Sequence, residues 1–386
     1  MTVALAVFLV SAGSVGYVLI GYPAWLAFLA RRFQRAIQKG DRLETVSVII
    51  CVRNGERWLR HKLESVLALD YPPEMLDVVV VSNGSTDRTE EIAESFSCQG
   101  VRLLVVPHAG KNAALNAAIP HAKGDLVFLT DVRQILARDC LKRLVACMAD
   151  PAVGVVSGNL LIRRGVSMEE ESTKLYWRYE TAIRRNLSRL DSMLGATGPV
   201  YLLRRRLFVP VPLDILLDDV YLPMSIHLQG YRLVLEEQAE ALDEPTALRS
   251  EFRRKVRTQA GIVQLIGAFP GLFSRKNRMR LHFVSLKIGR LLLPYLLLAS
   301  LGSALALPQP WRTASAGPQL LIWLLALLNP FIPQGWIVKK IAAPAMAFAV
   351  LVFSAAAALK ILFRPPRSLW VESRPNKQEI EPQLER

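Results

Sequence analysis

Three apolar runs, Val78 to Val81, Val101 to Val106 and Leu126 to Thr130, lie in one stretch of the chain, and each ends in polar, glycine-rich or acidic residues. The first two lead into segments with helical spacing. Short apolar runs alternating with helices predict an α/β fold with a mostly parallel sheet, whose ligands bind at the carboxyl ends of the strands. The polar residues at those ends are therefore the first candidates for chemistry.

Upstream, Val46 to Ile50 is the first expected strand. A helix follows over Glu56 to Leu69, because Leu59, Leu63, Val66 and Leu67 share one face. Asn83-Gly84 supplies a turn after the second strand, and Thr86 or Asp87 is placed to cap a helix through Ala93. Lys111 to Ile119 reads as a short amphipathic helix, and the fourth strand terminates at Asp131. A helix over Cys140 to Met148 and a strand over Val153 to Val156 complete the regular part. Beyond them, Ser167-Met168-Glu169-Glu170 has the form of a capping box opening a helix through Arg185, with Leu175, Tyr176, Tyr179 and Ile183 as its packing stripe. Asp218-Asp219 precedes a helix that stops at Gly230. Phe252 to Gln264 is a basic helix that turns apolar, suited to a membrane surface.

Both ends of the chain are apolar. Met1 to Leu29 has no Lys, Arg, Asp or Glu and exceeds the ~20 residues that cross a bilayer. Its positive charge follows the apolar run, which predicts an uncleaved anchor with Arg31 onward in the cytoplasm. Three further stretches follow: Phe283 to Leu307, with Lys287 and Arg290 expected at the interface, Leu320 to Val338, and Ile341 to Phe363. Asn329-Pro330 and Pro333 interrupt the middle one. Three crossings would leave Arg364, Arg367, Arg374 and Lys377 outside, so one stretch is a candidate for re-entrant or interfacial placement. The expected layout is an anchor over 1–30, an α/β domain over 45–258, an interfacial segment over 259–281, a membrane bundle over 282–363 and a polar tail over 364–386, disordered from Pro375.

Composition sharpens this picture. Lys and Arg total 48 against 33 acidic residues, a formal charge of +15. The cations cluster beside the apolar runs, as Arg31, Arg32 and Arg35 do, and no run of basic and aromatic residues forms a nucleic-acid face, so the excess reads as membrane-flanking. Cys51, Cys98, Cys140 and Cys147 lack C-x-x-C spacing and read as buried free thiols in a reducing compartment.

Motifs for a dinucleotide fold, a P-loop, a zinc protease and a serine hydrolase are all absent. What remains at strand ends and loop starts is Asn83, Lys111, Asp131, Asp218, Asp219, Arg254 and Arg257. A nucleotide diphosphate with a divalent metal needs such a set: a group for the base, a carboxylate for the metal, cations for the diphosphate and a carboxylate free to act as base. Taken singly, each also has a bland role as a turn residue, helix cap or solvated charge.

In order, VSVIICVRNGERWL, VVVVSNGSTDRTEEIA, GKNAALNAAI, GDLVFLTDVRQ, LLDDVYLPMSIHLQGYR and EFRRKVRTQAG resemble the membrane-bound family 2 glycosyltransferases over about Val46 to Gln264. The resemblance implies a GT-A fold and inverting transfer of a sugar from a nucleotide donor. It places Arg53 and Asn54 at the first nucleotide contacts, Asn83 where an Asp usually bonds the base, and Lys111 at the diphosphate. Asp131 falls at the first Asp of the metal-binding D-x-D, which implies Mg²⁺ or Mn²⁺, while Arg133 replaces the second Asp. Asp219 matches the general base, with Asp218 in place of a Glu. Arg257 keeps the diphosphate-contacting Arg, Arg254 replaces a Gln, and Thr258 stands where processive members carry a Trp.

The expectation is an integral protein of the bacterial plasma membrane, its catalytic domain cytoplasmic. It would transfer sugar to a lipid-linked or glycan acceptor, in contact with membrane lipids and other components of a glycan-assembly pathway. A processive polysaccharide synthase and a catalytically silent membrane scaffold are the alternatives.

Overall fold

The chain, seen in a computed structural model, is described over residues 2–162, 168–243, 248–333, 335–363 and 366, with side chains except those of 162, 168–176 and 248–251. The Ser167 cap, the Leu175 and Tyr176 side chains, Arg364, Arg367, Arg374, Lys377 and the tail from 367 lie outside these residues.

The apolar start forms one long helix, α1 (Thr2–Gly16) and α2 (Tyr22–Arg32) joined by a π turn at Tyr17–Gly21. The alternating region then gives β1 (Val46–Val52), α3 (Glu56–Leu67), β2 (Leu76–Asn83), α4 (Thr89–Glu94), β3 (Val101–Val106), α5 (Lys111–Ala118) and β4 (Leu126–Leu129). After these come β5 (Ile135–Leu136), α6 (Cys140–Cys147), β6 (Val153–Ile162), α7 (Met168–Leu190), β7 (Tyr201–Arg204), α8 (Asp218–Leu228) and β8 (Arg232–Asp243). The remainder is helical: α9 (Leu248–Ala268), α10 (Arg280–Phe283), α11 (Gly289–Leu305), α12 (Trp311–Leu328) and α13 (Lys339–Ala358).

One eight-stranded sheet carries the domain, in the order β3-β2-β1-β4-β7-β6-β8-β5. β1 to β4 are parallel, as the alternation predicts, whereas β7 runs antiparallel to both β4 and β6. The sheet is thus mixed, and β7 and β8 are strands the apolar pattern did not single out. β8 mixes Leu233, Val234 and Leu235, all buried, with a half that carries Glu236, Glu237 and Glu240, so no single period marks it.

Both faces of β1, β2 and β4 are covered, which is why they read as continuous apolar runs, whereas the edge strand β3 leaves Val105 exposed. Val48, Ile50, Val78, Val80 and Phe128 pack with Leu59, Leu63 and Val66 of α3 and Leu141 and Leu144 of α6. Ile49, Val79, Val81, Val127 and Leu129 face Ala114, Leu115 and Ala118 of α5, and beyond them α8 and α9. Each fully buried side chain of this size stabilises the fold by roughly 1.5–3 kcal/mol, so the strand ends are held on a rigid base.

Among the described residues four helices are long and apolar enough to cross a membrane: Thr2–Arg32, Arg280–Leu305, Trp311–Phe331 and Lys339–Leu362. The middle carboxyl-terminal helix begins at Trp311, upstream of the expected stretch, and closes in a 3-10 turn at Asn329–Phe331, so Asn329-Pro330 marks its end as the sequence suggests. There the buried Lys339 ammonium donates to the Asn329 carbonyl at 2.7 Å, tying the turn to α13. α9 is an integral part of the α/β core as well as a basic helix. Its Ala260, Ile262 and Leu265 are buried there, and Gly261 allows the approach, since a Cβ at that position would lie 2.4 Å from Leu217 Cγ. α13 packs against α9 and α7, so the last apolar helix leans on the elements that border the site.

The four cysteines are unpaired, but Cys98 is exposed and only Cys140 and Cys147 are fully buried. Cys98 falls in a short surface turn after α4, where no sheet or helix covers it.

Candidate active site

The carboxyl ends of β1, β2 and β4 and the start of α8 converge on Lys111. Its ammonium, on the first residue of α5, lies 3.2 Å from Asp131 Oδ1 and 3.1 Å from Asp218 Oδ2. Burial works against the lysine charge, yet the two carboxylates outweigh it and hold its pKa well above that of a free lysine. Burial likewise opposes the Asp131 charge, and Lys111, Arg133 and Lys62 together still keep that carboxyl below its usual range.

Asp218 and Asp219 are the first two residues of α8, so the helix begins at the pair rather than after it. Acidic residues are favoured there by the partial positive charge of the helix start. Asp218 turns toward Lys111, and Asp219 turns toward Gly198, where a Cβ would lie 3.2 Å from its Oδ2. The Asp219 backbone carbonyl accepts from Ala196 N at 2.7 Å, fixing the 195–198 loop against α8. Burial and the neighbouring Asp218 raise the Asp219 pKa to about 6, against the pull of Lys111, Arg257 and Lys287. Two adjacent carboxyls thus differ in role: one paired with a cation, the other poised near neutrality.

Asn83 is buried at the end of β2 and accepts from Ala109 N at 3.2 Å. Asn54 has a left-handed backbone, φ 52°, and its side-chain oxygen accepts from Thr86 N at 2.8 Å. It therefore braces the loop after β2, beside Arg53, which is exposed at the end of β1. Arg133 pairs with Asp243 at the end of β8, 3.6 Å distant, while its charge still acts on the Asp131 carboxylate. On α9, Arg254 lies over the Trp177 ring at 5.9 Å, Arg257 acts on Asp219, and Thr258 is exposed.

Two further residues belong to this site beyond the candidates named from the sequence. Lys62, fully buried in α3, donates to Thr130 Oγ1 and to the Gln134 carbonyl, both at 2.7 Å, and so grips both ends of the loop that holds Asp131 and Arg133. Burial drags its pKa down to about 7. Tyr201 of β7 is fully buried, and its hydroxyl has no hydrogen-bond partner among the described residues. Its pKa is pushed well above the usual value by burial and then by Asp218. A lysine at a helical core position is the one irregularity that could have drawn attention to Lys62; nothing distinguishes Tyr201 from an ordinary strand tyrosine.

A divalent metal would find one accessible carboxylate here. Among the described residues no three His, Cys, Asp or Glu side chains converge as ligands, and Asp131 is 41% exposed. That set fits a cation such as Mg²⁺, which takes one or two protein carboxylates and completes its shell with phosphate oxygens and water.

The family model described as Glycosyl transferase family 2 matches residues 47–209. The chain carries a family 2 glycosyltransferase domain. The match spans Arg53, Asn54, Asn83, Lys111, Asp131 and Arg133, and stops short of Asp218, Asp219, Arg254 and Arg257. Over 229 residues the chain is 26% identical to a poly-beta-1,6-N-acetyl-D-glucosamine synthase of Staphylococcus aureus, covering 57% of this chain and 55% of that one. It thus spans about half the length of this curated relative. A beta-monoglucosyldiacylglycerol synthase of Synechocystis is 30% identical over 129 residues, 32% of this chain and 26% of its own. Among solved structures, a mannosyltransferase of Pyrobaculum calidifontis in complex with GDP-Man and Mn²⁺ superposes with a TM-score of 0.67 at 22% identity. It covers 94% of this chain and 98% of its own. The glycosyltransferase domain therefore has the GT-A fold.

Proposed function

We propose that this glycosyltransferase is an integral membrane enzyme that moves a sugar, with inversion, from a nucleoside-diphosphate donor to an acceptor at the bilayer surface. The carrying observation is the position of Asp219, with a pKa of about 6, beside the Lys111–Asp131–Asp218 cluster. A carboxyl of that pKa is ionised at neutral pH and is a stronger base than an ordinary carboxylate. The names of the relatives, a polysaccharide synthase and a glycolipid synthase, support a glycan or lipid acceptor.

In this reading the acceptor hydroxyl attacks the anomeric carbon from the face opposite the diphosphate. Its oxygen forms the new glycosidic bond, the bond to the diphosphate breaks, and Asp219 takes the proton. Lys111 and Arg257 stabilise the charge that grows on the departing diphosphate. Asp131 would hold Mg²⁺ or Mn²⁺, which supplies further positive charge at the diphosphate when bound. Arg53, Asn54 and Asn83 line the nucleotide end, and Arg133 and Arg254 add cationic character at the two sides. Thr258 leaves no aromatic platform at its position on α9, which favours single transfer over processive synthesis.

The test is release of nucleoside diphosphate by purified protein in lipid, over a panel of UDP-, GDP- and dTDP-sugars with Mg²⁺ or Mn²⁺. One donor is expected to turn over, and Asp219→Asn is expected to lower kcat by ~10²–10⁴ while donor binding persists. Unchanged turnover in that variant would remove Asp219 as the base.

A further inference from the structure

Lys287 and Arg290 stand three residues apart near the start of an apolar helix, Arg280–Leu305, and so share a face. Rather than reaching out along an interface, they turn inward. Arg290 is 14% exposed and its Nη1 lies 2.6 Å from Glu180 Oε1 of α7. One turn further along α7, Arg184 donates to Thr197 Oγ1 at 2.9 Å, and Thr197 precedes the Gly198 that abuts Asp219. Lys287 is near enough to act on both Glu180 and Asp219. Three cations, Arg184, Lys287 and Arg290, are therefore gathered near the base, and Glu180 pairs with Arg290.

The backbone is built for this junction. Val284–Ile288, which contains Lys287, is a π turn, and so is Tyr17–Gly21 of the anchor. The two meet: Tyr17 OH and Ser285 Oγ are 2.9 Å apart, and Tyr179 OH donates to the Leu19 carbonyl at 3.0 Å. Widened turns of this kind recur at functional sites. Charged side chains near the end of an apolar helix are costly unless they face a partner or a ligand, and here the helix directs two cations to the same spot.

We propose that Arg184, Lys287 and Arg290 seat a phosphate borne by the acceptor lipid, so that the acceptor is an anionic, phosphate-bearing lipid and not a neutral acylglycerol. This inference rests on Asp219 as the base that faces the acceptor. A phosphate entering from the bilayer would meet Lys287 and Arg290 first, with the hydroxyl beyond it directed to Asp219. Arg184, held by a neutral hydroxyl, supplies a further cation for charge-assisted bonds.

The test is lipid binding by the full chain in detergent, read by native mass spectrometry with polyprenyl monophosphate, phosphatidic acid, polyprenol, diacylglycerol and inorganic phosphate as probes. A phosphate lipid is expected to bind at least tenfold more tightly than its neutral counterpart, and the tighter of the two phosphate lipids identifies the source. Lys287→Gln is expected to remove the preference and Lys287→Arg to keep it, with nucleotide binding in the same samples confirming the fold. Arg184→Gln is a second variant with the same expectation should Lys287→Gln not fold. Equal binding of charged and neutral lipids, no lipid binding, or an undiminished preference in both Gln variants would overturn the proposal. Preference for phosphate lipids without any sugar transfer would instead count against the transferase reading alone.

Discussion

The Lys62 ammonium donates at 2.7 Å to the hydroxyl of Thr130, the residue immediately before Asp131. A buried lysine is expensive unless hydrogen-bonded, and both partners here belong to the loop that carries the site's accessible carboxylate. Lys62→Met is expected to keep the packing volume, release that loop and raise the donor KM at least several-fold. The pH dependence adds a second readout. The folded pKa of about 7 lies below that of an unfolded lysine, so the native state binds fewer protons between the two values. Wild-type stability should therefore gain a contribution as pH rises from 7 toward 10, and thermal unfolding of Lys62→Met should lack it.

Asp219 gives the opposite sign. Its folded pKa of about 6 exceeds the unfolded value, so its contribution to stability is complete below pH 4 and is lost as pH rises through 6. The same titration governs activity, because the base must be ionised. kcat/KM is expected to fall about tenfold per pH unit below 6, and Asp219→Asn should abolish that limb.

Gly198 is a steric test of the same group. A Cβ there would approach Asp219 Oδ2 to 3.2 Å, close enough to displace a carboxylate from its proton-accepting position. Gly198→Ala is expected to lower kcat roughly ten- to a hundredfold with nucleotide affinity unchanged, which single-turnover kinetics and calorimetry would separate.

Asp131 is the protein's metal-facing carboxylate in the proposed mechanism. Asp131→Asn should weaken donor binding at least tenfold and remove the difference between binding with Mg²⁺ and with chelator. Calorimetric titration of the nucleoside diphosphate in both conditions checks this. A metal response that survives the substitution would place the cation elsewhere.

The parallel half of the sheet was legible in the chain because β1, β2 and β4 are buried on both faces, the edge strand β3 is still an apolar run, and the helices between them keep a 3.6 period. β7 and β8 were not, because β7 has only four residues and β8 mixes apolar and acidic residues. Asp131, Lys111 and the Asp218-Asp219 pair stood out as candidates because each lies at an element boundary and in the motif order that resembles the family, and the structure brings Lys111, Asp131 and Asp218 together.

The sequence by itself determined the α/β alternation, the apolar ends and the polar residues at the strand ends, all of which follow from local periodicity and charge. Only the tertiary structure decided which of these residues meet. Lys111 bridges Asp131 and Asp218 across elements separated by about half the domain, Arg133 turns to Asp243, and Lys62 reaches the Asp131 loop from beneath. The contrast between Asp218 and Asp219 also arises there. Adjacent in sequence and alike in chemistry, they diverge because one faces an ammonium and the other a glycine, and no local pattern records what a side chain faces.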